Sequence, residues 1–230
     1  MIHMLVGAGG TGGFIAPALS RLVRNPQDLV IIDRDRVERK NLLRQVFTMA
    51  DIGRNKASIL AERNGCGHLD AWFDTSTHVA PKSVIWCAAD NNQCRMDILS
   101  ACDRFDCVGI LGGNEQYSSE ALIYFPAWQG TRYDFRVIYP SATTDQSGRP
   151  MNPCASDITV QEKPQTVCSN FTSSCFMLRL FFAWLDDNGR LVPRHAKDKP
   201  VHLRAERTIL FEALGMPGKK VREKSKCHSK

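Results

Sequence analysis

The 230-residue chain has no apolar run approaching the ~20 residues needed to cross a bilayer. Its densest apolar stretch, Phe176 to Leu185, is short and contains Arg179, so it reads as a buried helix. No Cys-x-x-Cys pair occurs, which removes the usual signature of a four-thiolate zinc site. The nine cysteines are odd in number and follow no regular spacing, which argues against a disulfide framework. Cys87, Cys94, Cys102 and Cys107 fall within strand or helix patterns and are expected to be small buried hydrophobes. There is no internal repeat. Met1 runs almost at once into an expected strand, so no leader is expected and a cytoplasmic location follows.

What is present begins with enough apolar residues, 43%, to build one sizeable core. The net charge of +6 is local: Lys219, Lys220, Arg222, Lys224, Lys226 and Lys230 against Glu223 leave +5 in the last dozen residues. Without interleaved aromatics, residues 218–230 read as a solvated, disordered basic tail rather than a nucleic-acid arm. Residues 1–217 are expected to form one domain.

Strand and helix signals alternate through residue 111, the mark of a parallel sheet covered on both faces. Expected strands are Ile2–Val6, Leu29–Ile32, Ser83–Cys87 and Cys107–Leu111. Expected helices are Thr11–Val23, Lys56–Arg63 and Met96–Asp103. Ala121–Phe125, Tyr133–Tyr139 and Val201–Arg204 read as further strands, and Thr208–Leu214 as a short helix. Residues 141–167, rich in Ser, Thr, Pro, Asp and Gln, read as a long functional loop. Asn170 is expected to cap the apolar helix that follows. The fold class is therefore α/β: a Rossmann-like, mostly parallel sheet flanked by helices, with an antiparallel C-terminal extension.

Gly7-Ala8-Gly9-Gly10-Thr11-Gly12 stands between a strand and a helix, where glycines let backbone approach a phosphate and the helix start attracts it. Asp33, at the end of the second strand, is placed to accept ribose hydroxyls, and Asp35 joins the same set. A nicotinamide dehydrogenase needs no cationic cluster next. Here Asn41, Arg44 and Lys56 follow, types suited to triphosphate oxygens. Asp90 follows another strand end, where a lone carboxylate facing a triphosphate suits Mg²⁺.

In order, the segments Gly7–Gly12, Asp33–Gln45, Asp51–Ala57 and Ala89–Arg95 spell Gly-x-Gly-Gly-x-Gly, Asp-x-Asp-x-Val-Glu-x-x-Asn-Leu-x-Arg-Gln, Asp-Ile-Gly-x-x-Lys-Ala and Ala-Asp-Asn-x-x-x-Arg. This resembles the ThiF/MoeB family, adenylating relatives of ubiquitin-activating enzymes, over residues 2–125 and more loosely through Trp184. The resemblance implies ATP and Mg²⁺, adenylation of a C-terminal carboxylate on a ubiquitin-like (β-grasp) protein or peptide, and a homodimer. It implies that Gly7, Gly9, Gly10 and Gly12 approach the phosphates, that Asp33 and Asp35 serve the ribose side, that Asn41, Arg44 and Lys56 hold the triphosphate, and that Asp90 holds the metal. Some relatives pass the adenylate to a crossover-loop cysteine, a role for which Cys154 and Cys168 are the candidates within a loop of about 140–168. The chain departs from the pattern in three places. The family's arginine-bearing N-terminal helix and its paired zinc cysteines have no counterpart, and Cys87 stands where an acidic residue often precedes the metal carboxylate. Two other readings keep the fold: an ATP-dependent enzyme acting on another substrate, such as a tRNA base, and a non-catalytic nucleotide-binding module.

Overall fold

A computed structural model describes residues 1–114, 118–144 and 166–185, with the backbone of 202–205. Among these residues the strands form one seven-stranded sheet in the order β3-β2-β1-β4-β5-β6-β7. The strands are β1 (His3–Val6), β2 (Leu29–Ile32), β3 (Gly67–Leu69), β4 (Val84–Cys87), β5 (Val108–Asn114), β6 (Ser119–Tyr124) and β7 (His202–Ala205). The first five run parallel, while β6 and β7 pair antiparallel. This is the mixed α/β architecture expected, with β3 as a short edge strand that the sequence pattern did not announce.

Alternate strand residues feed two separate cores. Leu5, Ile31, Trp86 and Ile110 pack on one face against helices α1 (Gly10–Leu22), α2 (Lys56–Asn64) and α6 (Val167–Trp184). Met4, Ile85, Cys87 and Leu111 pack on the other, against α3 (Asn92–Phe105) and the short helices α4 (Phe135–Ile138) and α5 (Pro140–Thr144). Burial on both faces explains why β1, β2 and β4 read as unbroken apolar runs rather than alternating ones. Cys87, Cys94, Cys102 and Cys107 are buried, as expected.

Helix ends follow local chemistry. Asn55 Oδ1 accepts the Ser58 N–H at the start of α2, and Gly65 ends it with φ 66°. Asn91 Oδ1 accepts the Cys94 N–H at the start of α3. Thr166, rather than Asn170, caps α6 through a reciprocal pair with Ser169. Asn170 instead lies inside the helix, 1% exposed.

Tyr133–Tyr139 is not a strand. Asp134 caps α4 by accepting the Arg136 N–H at 3.0 Å. Arg136 is then held by Asp134 and Asp103, each at 2.9 Å. These local bonds settle the helical turn. Residues 140–144, expected as loop, form α5. Residues 166–168, expected as the end of the crossover loop, begin α6, while residues 145–165 with Cys154, the expected helix 208–214 and the basic tail 218–230 lie outside the described residues. No helix among the described residues is long and apolar enough to cross a membrane.

One buried titratable group couples this core to pH. The Trp86 Nε1–H donates to His3 Nδ1 at 3.2 Å inside the α1/α6 core. Burial lowers the His3 pKa from 6.5 to about 4. The unfolded chain therefore takes up a proton before the folded one, and stability falls as pH drops from 6.5 to 4, by about 3 kcal/mol for this group. Urea denaturation of the wild type and His3→Phe across that window should show a stability difference that narrows towards pH 4. A difference constant with pH would contradict the assignment.

Candidate functional site

The strand order reverses between β1 and β4: the chain leaves β1 for β2 on one side and later returns to β4 on the other. Parallel sheets open a crevice at the carboxyl ends of such a pair. Here the two loops touch. Gly7 has φ +94°, and a Cβ there would lie 2.8 Å from the Ala88 carbonyl carbon and the Ala89 nitrogen. A Cβ on Gly12 would fall 1.9 Å from the Gly7 oxygen, so α1 is seated directly on the turn. Gly9 differs, because its nearest neighbour would be the Gln45 amide at 3.8 Å. It therefore faces open space. Gly9 also caps α1 without any side-chain hydrogen bond, which leaves the helix start as an anion-binding end.

Above this turn lies a cleft of about 1030 Å³, open to solvent. Gly7, Gly9, Gly10 and Thr11 form its floor; Asp33, Asp35, Arg44, Lys56, Asp90 and Arg95 supply charge, and Ala71, Trp72 and Phe73 supply an apolar end. Asp33 Oδ2 accepts the Ala8 N–H at 2.7 Å and Oδ1 the Asp35 N–H at 2.8 Å, which ties β2 to the glycine turn. Burial raises the Asp33 carboxyl to about 6, against the pull of Lys56 and these two N–H groups. Lys56 is 2% exposed and bonds Asp35 Oδ2 at 2.9 Å. Asp90 is exposed at the cleft mouth. Loss of surrounding water pushes its carboxyl upward, while Arg95, Lys56 and Arg44 pull it back.

Most of the residues expected from sequence therefore meet in one cleft. Asn41 does not line it. Its side chain is buried, and its Oδ1 accepts the Glu38 N–H at 2.8 Å, fixing the short helical turn that carries Arg44. Cys168 is exposed in the first turn of α6 and does not line the cleft.

Several lining residues were missed. Gln45 is buried beside Gly9, and its Oε1 has no hydrogen-bond partner. A carboxamide can present either its oxygen or its NH₂, so this is a polar group suited to a ligand on the phosphate side. Asn170 reaches from α6 across the site. Its Nδ2 donates to the Arg44 carbonyl at 3.2 Å, and its Oδ1 accepts from Asn114 at 2.7 Å. A Cβ on Gly10 would collide with it at 2.1 Å, so Gly10 is needed for packing. A polar residue in an otherwise apolar helix was the available signal. Arg95 and Gln45 were visible within the motifs but unassigned.

The donor set fits a nucleoside triphosphate: an uncapped glycine helix start, Arg44, Lys56 and the Gln45 amide, whose oxygen has no partner, on one side, and Trp72 and Phe73 on the other. Among the described residues no three His, Cys, Asp or Glu side chains gather as metal ligands. A single carboxylate such as Asp90 suits Mg²⁺, which takes its remaining ligands from phosphates and water.

Residues 2–65 match the model of the ThiF family. The ThiF segment runs from β1 to the end of α2 and contains the glycine turn, Asp33, Asp35, Asn41, Arg44 and Lys56. Asp90 and Arg95 lie beyond it. The fold is similar to that of Escherichia coli MccB solved with AMPCPP and selenomethionine MccA, with TM-score 0.57 and 19% identity, covering 77% of this chain and 54% of that one. It is also similar to MccB solved with ATP, with TM-score 0.53 and 16% identity, covering 77% and 53%. The chain thus spans about half the length of the solved structures it matches. Comparison with curated protein sequences gives no match.

The Asp33 pKa yields a test. Only the ionised carboxylate can accept ribose hydroxyl protons on both oxygens, so nucleotide affinity should be level above pH 7 and weaken below about 6. Titration of AMPCPP into the wild type and Asp33→Asn removes the nucleotide's own ionisation from the comparison. The affinity ratio between them should shrink as pH falls from 7 to 5, and a constant ratio would exclude Asp33 as a ribose ligand.

Proposed function

We propose that this chain uses ATP to adenylate a carboxylate, at the C-terminus of a ubiquitin-like protein or other small peptide. The observation that carries the reading is the convergence, at one switch point, of an uncapped glycine helix start, Arg44, Lys56 and Asp90. The ThiF match over residues 2–65 supports it, as does the likeness in fold to MccB solved with ATP and with AMPCPP.

The chemistry needs little from the protein beyond position and charge. A carboxylate is ionised at neutral pH, so its oxygen attacks the α-phosphorus without a general base. The bond from that phosphorus to the bridging oxygen breaks, and pyrophosphate leaves with the electron pair. Arg44 and Lys56 neutralise the charge gathering on pyrophosphate, and the N–H groups at the start of α1 hold phosphate oxygens. Asp90 would hold Mg²⁺, which supplies further neutralisation at the phosphates. Asp33 and Asp35 orient the ribose side, and Trp72 and Phe73 provide an apolar wall for the base.

Lys56 is already paired with Asp35, so it reaches a phosphate as part of a bonded pair and arrives preoriented. In this reading the protein works in the cytoplasm and as a homodimer. Transfer onward to a thiol would fall to Cys154 or to Cys168, which is exposed at the start of α6.

ATP–pyrophosphate exchange, run with peptides bearing a free C-terminus, tests the proposal. Arg44→Ala and Asp90→Ala should each lower exchange by at least ~100-fold while circular dichroism stays native. Exchange that survives both substitutions would refute the assignment.

A further inference from the structure

The start of α1 and Arg44 have to reach one triphosphate, yet they stand on different segments. α1 follows β1, whereas Arg44 closes the short helical turn between β2 and α2. A side chain grips an anion better when its own backbone is already held, because less freedom is lost on binding. What fixes the Arg44 backbone therefore bears on how well the cleft holds phosphate.

The Arg44–Gln45 peptide is held at both ends. Its N–H, on Gln45, donates to the Asn41 carbonyl at 3.0 Å. Its carbonyl, on Arg44, accepts from Asn170 Nδ2 at 3.2 Å. The first bond lies within the turn, while the second comes from α6, 126 residues away. Arg44 and Gln45 flank this one peptide and both line the cleft. Its plane thus sets where two lining side chains begin.

Asn170 is tied in turn to α1. A carbonyl only accepts, so Nδ2 faces Arg44, and Oδ1 is left to accept from Asn114 Nδ2 at 2.7 Å. That orients Asn114, whose Oδ1 accepts from the Thr11 hydroxyl at 3.4 Å. The donors in the chain Thr11–Asn114–Asn170–Arg44 alternate with acceptors so that each amide has one orientation satisfying both neighbours. Thr11 is in the first turn of α1. The Asn170 amide also fills the space that a Cβ on Gly10 would need, with Nδ2 2.1 Å from it. It stands as a spacer between the first residue of α1 and the Arg44 carbonyl. α6 is seated on α1 beside it: the Phe171 ring meets Phe14 edge-on at 5.8 Å, and Ser174 Oγ lies 2.9 Å from the Thr11 carbonyl.

Packing alone does not account for an asparagine here. Position 170 is 1% exposed. Leucine has nearly the same shape and would gain from burial, whereas a buried carboxamide is costly unless it is bonded. The bonds that offset this cost lead to the two groups assigned to phosphate.

We infer that Asn170 is a positioning residue of the nucleotide site: it sets the separation between the start of α1 and the Arg44–Gln45 peptide, so that both reach one triphosphate. The inference rests on the nucleotide reading of the cleft and adds to it a residue outside the ThiF-matched segment. Asn170 acts through Arg44.

Calorimetric titration of AMPCPP and of AMP, each with Mg²⁺, into the wild type, Asn170→Leu, Arg44→Ala and the double variant tests this. AMP lacks the phosphates assigned to Arg44, so the preference for AMPCPP over AMP reports that contact. Asn170→Leu should lower the preference about 10-fold, the scale of one weakened charge-assisted hydrogen bond. In the Arg44→Ala background the same substitution should change it by less than about 2-fold, because nothing is left to position. If Asn170→Leu does not fold, Asn170→Ala, which leaves a gap instead of apolar bulk, carries the same expectations. Equal losses of affinity for both nucleotides would reduce Asn170 to packing and overturn the inference, with the nucleotide reading left standing. So would a preference that falls just as far in the Arg44→Ala background. A wild type that fails to bind AMPCPP, or binds it no better than AMP, would overturn the nucleotide reading and the inference with it.

Discussion

The contact between Gly7 and the Ala88–Ala89 backbone governs this molecule. It brings the turn after β1 against the turn after β4, and a side chain at position 7 would be both strained and obstructed. Gly12 then lets α1 rest on the same turn. Because the two loops meet there, the start of α1 and the Asp90 segment face a shared cleft. The Asp33 carboxylate completes the join by accepting N–H groups from Ala8 and Asp35. The glycines thus act first on packing, and only Gly9 is left open towards a ligand.

Charge in the cleft is balanced rather than simply positive. Arg44, Lys56 and Arg95 stand with Asp33, Asp35 and Asp90. Lys56 is almost fully buried and depends on Asp35, since an isolated ammonium there would be costly to desolvate. The Asp33 and Asp90 carboxyls are both pushed upward by loss of water, with neighbouring cations opposing the shift.

Much of this was legible in the residues because the parallel strands are buried on both faces and appear as apolar runs. Of the residues the ordered motifs offered, Gly7, Gly9, Gly10, Asp33, Asp35, Arg44, Lys56 and Asp90 line one cleft. Other parts depended on contacts far apart in sequence. Asn41 shares a motif with Arg44, yet it fixes the turn through Glu38 and leaves the cleft to its neighbour. Asn170 has the composition of a cap, but its partners at Arg44 and Asn114 lie 126 and 56 residues away. Residues 133–139 have strand-like composition, and the Asp134–Arg136–Asp103 network makes a helix there instead. Trp72 and Phe73 enter the site only because β3 delivers them to the edge of β2.

The central claim is that this switch-point cleft is built for a triphosphate with its metal rather than for a dinucleotide. Equilibrium binding of AMPCPP with Mg²⁺ and of NAD⁺, measured side by side on the same protein, addresses it most directly. The account predicts saturable AMPCPP binding, with NAD⁺ weaker by roughly 100-fold or more. Tight binding of NAD⁺ with no measurable affinity for AMPCPP would contradict it.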